Sequence, residues 1–169
     1  MKQWKHLSSA CLMALMLLVT SVNLSAQKLD YSKLDNNPNV ERVKLSGMML
    51  KMGLTMAKES NSEGRKASEA LKGLKTMYVF TSENKTGKSD ILTTFAPLLS
   101  AGGDKVEELL DQKDAKEGER VRIFGVKKGS QRFSTLLILT EEPNEAVAVV
   151  FEGDMHKDDL MTLAKSAMD

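Results

Sequence analysis

The most regular hydrophobic pattern in this chain lies between Glu119 and Phe151, where three strand-like segments follow one another. Glu119–Lys127 alternates charged and apolar residues, the period-two signature of a strand with one solvated face. Arg132–Thr140 is apolar on both faces at its centre, and Ala146–Phe151 is dominated by β-branched and aromatic side chains. Both connections have turn chemistry: a glycine in Lys128–Gln131 supplies a positive φ, and Pro143 in Glu141–Glu145 presets φ at a turn's second position. Links this short leave no room for a crossover helix, so neighbouring strands must be antiparallel. A middle strand that is apolar on both faces predicts cover on both.

Upstream the pattern is more varied. Val40–Leu45 reads as a short strand and Ser46–Ala57 as a helix, with Met48, Met52 and Met56 four apart and Met49 and Leu50 beside them. Ser46 is placed to cap that helix. Gly53 in its middle costs about 1 kcal/mol relative to alanine, which predicts a bend or a close neighbour. Ala67–Lys72 has room for a turn or two of amphipathic helix, and Leu74–Ser82 has strand composition. Ser82–Lys88 reads as a flexible connection, and Pro97 divides the apolar run Ile91–Leu99 into two short helical pieces.

Asp104–Glu107 has the form of a capping box, yet Glu107–Lys113 also fits a strand, and a run this short leaves both open. Gly153 and Asp154 predict the end of the last strand. Lys157–Met168 predicts a helix, with Leu160, Leu163, Ala164 and Ala167 on one face. Asp158 and Asp159 sit at its positive end and Lys165 near its negative end, as the macrodipole favours. The fold class is α+β: an antiparallel sheet with a C-terminal three-strand meander, helices packed against it, and a C-terminal helix.

The first 26 residues differ in character. Lys2, Lys5 and His6 precede the apolar run Ala10–Val19, and Ser25 and Ala26 follow as small residues before Gln27, which together form a signal peptide. The apolar run is too short to cross a bilayer, which takes about 20 such residues. Cys11 lies at the start of that run rather than after it, and so belongs to the run rather than to a lipid-attachment site. Cleavage near Ala26 leaves 143 residues with no cysteine and no transmembrane segment, carrying 22 basic against 23 acidic side chains. Gln27–Asn39 is a polar leader expected to be poorly ordered, ending in the turn-forming Asp35–Asn39, and residues 40–169 make a single domain. That domain stands on its hydrophobic core without disulfides, and its balanced charge is no footprint for nucleic acid.

Candidate chemistry is sparse. The methionines Met48, Met49, Met52 and Met56 have a plain reading as a pliable core face, because Met fills irregular gaps. They also suit one wall of an apolar ligand pocket, and soft thioethers at helical spacing suit Cu(I), although neither metal nor cofactor is expected. Asp35–Asn39 lacks the spacing of a calcium loop, and Ala101–Lys105 lacks that of a phosphate loop. His156 is the one histidine beyond residue 26, and no serine stands in a nucleophile-elbow setting to use it. Carboxylates cluster at Asp111, Asp114, Glu117 and Glu119 and again at Glu152, Asp154, Asp158 and Asp159, but without the aromatic platforms that usually accompany a glycosidase pair. Arg120, Arg122, Lys127, Lys128 and Arg132 gather on one hairpin, where they suit an anionic surface or simple pairing with the nearby acids.

In order and wording the chain resembles an uncharacterised family, domain of unknown function 4252, from exported proteins of Bacteroides-type bacteria. The resemblance rests on Val43–Leu50 and on the run from Glu119 to Leu163, with Val121–Phe124, Leu136–Leu139, and Gly153 followed by Leu160 as its recognisable parts. It implies an envelope or secreted location, periplasmic or beyond, favours a strand around Leu109, and supplies no catalytic or binding residues. The expected function is that of an exported, non-enzymatic envelope protein that works by protein–protein contact, with another envelope protein or with copies of itself. A periplasmic carrier of a small apolar ligand or lipid is the alternative, and a carboxylate-based hydrolase stands last.

Overall fold

The period-two segments become strands of one sheet, and the longer apolar runs become helices that cover it. The computed structural model describes residues 29–60, 65, 68, 69, 71–100, 105–114 and 118–160. Its elements are α1 (Ser32–Asp35), β1 (Glu41–Ser46), α2 (Gly47–Ser60), β2 (Leu74–Ser82), α3 (Lys85–Ser100), β3 (Val106–Lys113), β4 (Arg120–Lys127), β5 (Arg132–Glu141) and β6 (Ala146–His156). Residues 157–160 begin a further helix. Tyr31–Asp169 forms one compact unit.

The six strands lie in the order β1-β2-β6-β5-β4-β3, and every pairing is antiparallel. The chain thus lays down one edge, crosses to the other, and returns strand by strand until β6 closes against β2. The crossing from β2 to β3 covers four inter-strand spacings, about 19 Å. The 16 residues of α3 span about 24 Å, enough for the task. The three-strand meander read from Glu119 to Phe151 is β4-β5-β6, and the segment left open between helix and strand is β3.

Helices cover both faces, as the doubly apolar β5 requires. On one face, Phe80 of β2, Ala148 and Val150 of β6, and Leu137 and Leu139 of β5 are sealed beneath Ile91, Phe95 and Leu98 of α3. Tyr31 joins Phe80 and Phe95 there, with ring centroids 5.6 and 5.9 Å from its own. On the other face Leu50 of α2 and Leu160 share a cluster with Leu74, Phe133, Leu136 and Met155. A register row on this second face runs through all six strands: Val43, Val79, Val149, Ile138, Ile123 and Leu110.

Four local expectations are corrected. Part of the polar leader is built into the fold: Ser32–Asp35 is helical and Leu34 is buried. The connection Ser82–Lys88 is ordered from Lys85 on, because Asn84 caps α3 by accepting the Gly87 amide at 2.9 Å. α3 runs unbroken through Pro97. Proline there forfeits one hydrogen bond near the helix end, and burial of Phe95 and Leu98 on either side holds the helix against the sheet.

Gly153 does not end β6, which continues to His156 with Met155 opposite Phe133. It serves instead as a point of close approach. A Cβ on Gly153 would lie 2.4 Å from the Gly73 carbonyl oxygen, and one on Gly73 would lie 1.9 Å from that of Asp154. The expected signal peptide, Ala67 and Ala70 within the segment Ala67–Lys72, residues 101–104, and residues 161–168 of the expected C-terminal helix lie outside the described residues.

Candidate functional site: the methionine face of α2

α2 is an apolar helix with two stripes. Residues in a helix advance by about 100° each, so Leu50 and Leu54 lie on one side and Met48, Met49, Met52 and Met56 on the opposite side. The sheet takes the leucine side: Leu50 is buried and Leu54 half-buried. The methionine side faces outward, with exposures of 77% for Met48, 59% for Met49, 63% for Met52 and 69% for Met56. The core-face reading of these methionines is therefore overturned. Their spacing is that of a buried stripe, but the helix has a second stripe, and it is that one which meets the sheet.

Two further features shape this surface. α2 continues without a break through Gly53, and a Cβ built there finds nothing within 4 Å. Gly53 leaves a notch beside Met49, Met52 and Met56. An open groove of about 520 Å³ runs along Met48, Lys51, Met52, Thr55 and Met56. Val43, on the adjoining edge strand β1, is 54% exposed as well.

The cations near these methionines in sequence are not gathered around them: Arg42 and Lys44 alternate with Val43 and lie on the α3 face of the sheet. Between Arg42 and Lys58 the chain carries Arg42, Lys44, Lys51 and Lys58 and no acid. Arg42 pairs back to Asp35, and Lys44 places its ammonium 5.3 Å from the Tyr78 ring centroid. Lys51 is exposed on the flank of the methionine stripe, its backbone carbonyl accepting from the Thr55 hydroxyl at 2.8 Å.

The other candidate residues are brought together differently from the way the chain order suggests. The five cations of the hairpin each have a carboxylate partner. Arg120 holds Asp111 through two bonds, Nε at 2.8 Å and a terminal guanidinium nitrogen at 2.7 Å, and Arg122 pairs with Glu141. Lys127 lies 3.7 Å from Glu107, while Lys128 and Arg132 both reach Asp154, at 3.5 and 2.9 Å. The basic set and part of the acidic set thus answer one another across neighbouring strands. The Arg120 hydrogen bond holds the Asp111 carboxyl below the ordinary carboxylate range, and the same bond raises Arg120. Glu107 is lowered too, first by the hydrogen bond from Lys157 at 2.5 Å and then by the charges of Lys157 and Lys127.

Glu152 accepts a hydrogen bond from the Tyr31 hydroxyl at 3.3 Å. Burial, then the Glu152 charge, pushes the Tyr31 phenol far above its usual value, so it stays protonated. His156 is exposed at the last position of β6, opposite Arg132. Among the described residues no group of three or more His, Cys, Asp or Glu side chains is arranged to hold a metal ion. No helix among them is long and apolar enough to cross a membrane.

No curated protein and no solved structure matches the chain. The order of elements from α1 to the start of the last helix coincides with the span of one family model, described as a domain of unknown function, which matches residues 31–163. The chain belongs to that family, DUF4252.

Proposed function

We propose that this protein is an exported, non-enzymatic component of the cell envelope that works by binding another protein through the outward face of α2. The observation that carries this reading is the exposure of four methionines on a helix whose opposite face is already seated. Isolated apolar side chains on a surface need no explanation, but a contiguous stripe is a mark of an interaction site. Methionine suits such a surface because its unbranched, polarisable side chain adapts to the partner's shape. The basic first region, apolar run and small residues of Met1–Ala26 support export. The non-enzymatic part is supported by the hairpin charges, which neutralise one another across strands.

The test is site-specific photo-crosslinking in cells that make the protein. A crosslinker at Met52 should yield a protein-sized adduct, and one at exposed Glu145, in the β5–β6 turn, should not. Adducts at both positions or at neither would overturn the reading. Cell fractionation of the same cultures, with sequencing of the mature amino terminus, tests export; a start at or next to Gln27 is the expected result.

The groove beside the methionines supports the second reading, a carrier, since about 520 Å³ is the size of a small-ligand site. Its lining residues all belong to α2, so it is walled by a single helix and otherwise open. Native mass spectrometry of protein isolated from its host separates the two readings: a small mass released on denaturation favours the carrier.

A further inference from the structure

We propose that the outward face of α2 is an oxidation-responsive modification site. Hydrogen peroxide converts Met48, Met49, Met52 and Met56 to sulfoxides, and the face turns from apolar to polar while the fold beneath it stays intact. The modification stands on the exposure of these side chains alone; its effect on docking rests on the reading of α2 as an interaction face.

Oxidation of a thioether asks of the protein only that the oxidant reach the sulfur. The sulfur lone pair attacks one peroxide oxygen, and the S–O bond forms as the O–O bond breaks. The departing hydroxide takes the proton left on the transferred oxygen and leaves as water. Sulfur is oxidised by two electrons and the peroxide is reduced by two, so the step closes without a base from the chain.

Access divides the methionines sharply. Together with Val43, the four on α2 are the exposed large hydrophobic side chains among the described residues. Met155 of β6 is sealed in the core, and Met77 of β2 is half-buried against the same cluster. Met161 and Met168 lie outside the described residues. Beyond residue 26 there is no cysteine, whose thiolate would compete for the oxidant.

α2 also sorts its apolar residues by chemistry. Leucine and methionine have similar helix propensity. Yet Leu50 and Leu54, which peroxide does not attack, take the sheet side, and every thioether of the helix faces out. Oxygen added on the outward side leaves the buried contacts of Leu50 untouched. A sulfoxide is polar where a thioether is not, so changes at positions three and four apart remove the apolar stripe and leave its support in place.

The experiment exposes the purified protein to hydrogen peroxide and follows each methionine by peptide mass spectrometry. Met48, Met49, Met52 and Met56 should each gain one oxygen at least about tenfold faster than Met155, which reacts only when the core opens. Met77 should fall between them, and in denaturant all these rates should converge. The oxidised protein should melt within about 5 °C of the untreated one, as exposed changes do. It should also elute earlier in hydrophobic-interaction chromatography. Reductases for both sulfoxide epimers, supplied with a dithiol, should restore the elution time. A chain carrying Met48→Leu, Met49→Leu, Met52→Leu and Met56→Leu together should keep its elution time in peroxide.

The effect on docking is read with a photo-crosslinker at Lys51, exposed beside the stripe, in cells before and after peroxide. Adduct yield should fall at least about tenfold in the parent chain and hold in the leucine chain.

Equal rates for Met52 and Met155 in the folded protein would overturn the proposal. So would a collapse of the melting temperature on oxidation, or an equally large peroxide-induced change of elution in the leucine chain. An adduct that survives full oxidation of the four methionines overturns the effect on docking and leaves the interaction reading standing. If no adduct forms before treatment, the interaction reading falls, while selective oxidation and the earlier elution still establish the modification site.

Discussion

α2 and α3 touch the same strand, β2, from opposite faces of the sheet, and they use their apolar residues in opposite ways. α3 presses Ile91, Phe95 and Leu98 onto the sheet and buries them. α2 seats its leucines and turns its methionines to solvent. A hydrophobic stripe marks a surface that seeks a partner, and only the rest of the fold determines whether that partner lies within the chain.

Substitutions that contrast the two helices break or sharpen this comparison. The largest effect is expected at the sealed face. Phe95→Ala should cost about 3–5 kcal/mol by losing a fully buried ring and leaving a cavity, read as a lower midpoint in denaturant unfolding. Met52→Ser, by contrast, should change stability by no more than about 0.5 kcal/mol while weakening the Met52-dependent contact. A loss at Met52 comparable to that at Phe95 would mean that the methionine face is core after all.

Gly87 of α3 and Gly53 of α2 should respond with opposite signs. A Cβ on Gly87 would lie 2.1 Å from the Asn39 carbonyl oxygen and 2.3 Å from the Ser82 hydroxyl. Gly87→Ala should therefore destabilise by about 1–3 kcal/mol, as overpacking does. Gly53→Ala meets nothing and should stabilise by about 1 kcal/mol through helix propensity. Thermal unfolding of both variants checks the pair, and the same sign at both positions would contradict the open notch.

The smallest effect concerns pH. The Glu107 carboxyl is depressed in the folded protein by Lys157 and Lys127, so its pairing contributes stability above the unfolded carboxylate pKa. That contribution is lost as pH falls through the depressed folded value. Stability should thus decline on acidification below about pH 4, and Glu107→Gln should make the decline shallower. An unchanged acid limb in the variant would show that the Lys157 clasp adds nothing.

Much of the fold was legible along the chain. The alternation in β4, the doubly apolar β5 and the short turns between them fixed an antiparallel meander covered on both faces, because side-chain direction in a strand has period two whatever surrounds it. Less legible were features in which distant segments meet. Gly153 read as a stop because glycine often ends a strand, whereas its role arises from the approach of Gly73, far away in sequence. Pro97 read as a break because the cost of proline is local and the burial that offsets it is not. The hairpin cations read either as an anionic-surface patch or as partners of nearby acids, and Asp111, Glu107 and Asp154 on the adjoining strands decide for pairing.

The candidate site shows the division most plainly. The two apolar stripes of α2, the glycine between the methionines and the absence of acid from Arg42 to Lys58 are properties of the sequence alone. So are the α+β class and the antiparallel sense of the meander, since short-range pattern and link length determine both. Which stripe meets the sheet, which glycine is crowded and which is open, and which charges cancel were decided only by the tertiary structure. Periodicity states that a face is apolar; burial is a relation between that face and another element, and it exists only once the chain has brought the two together.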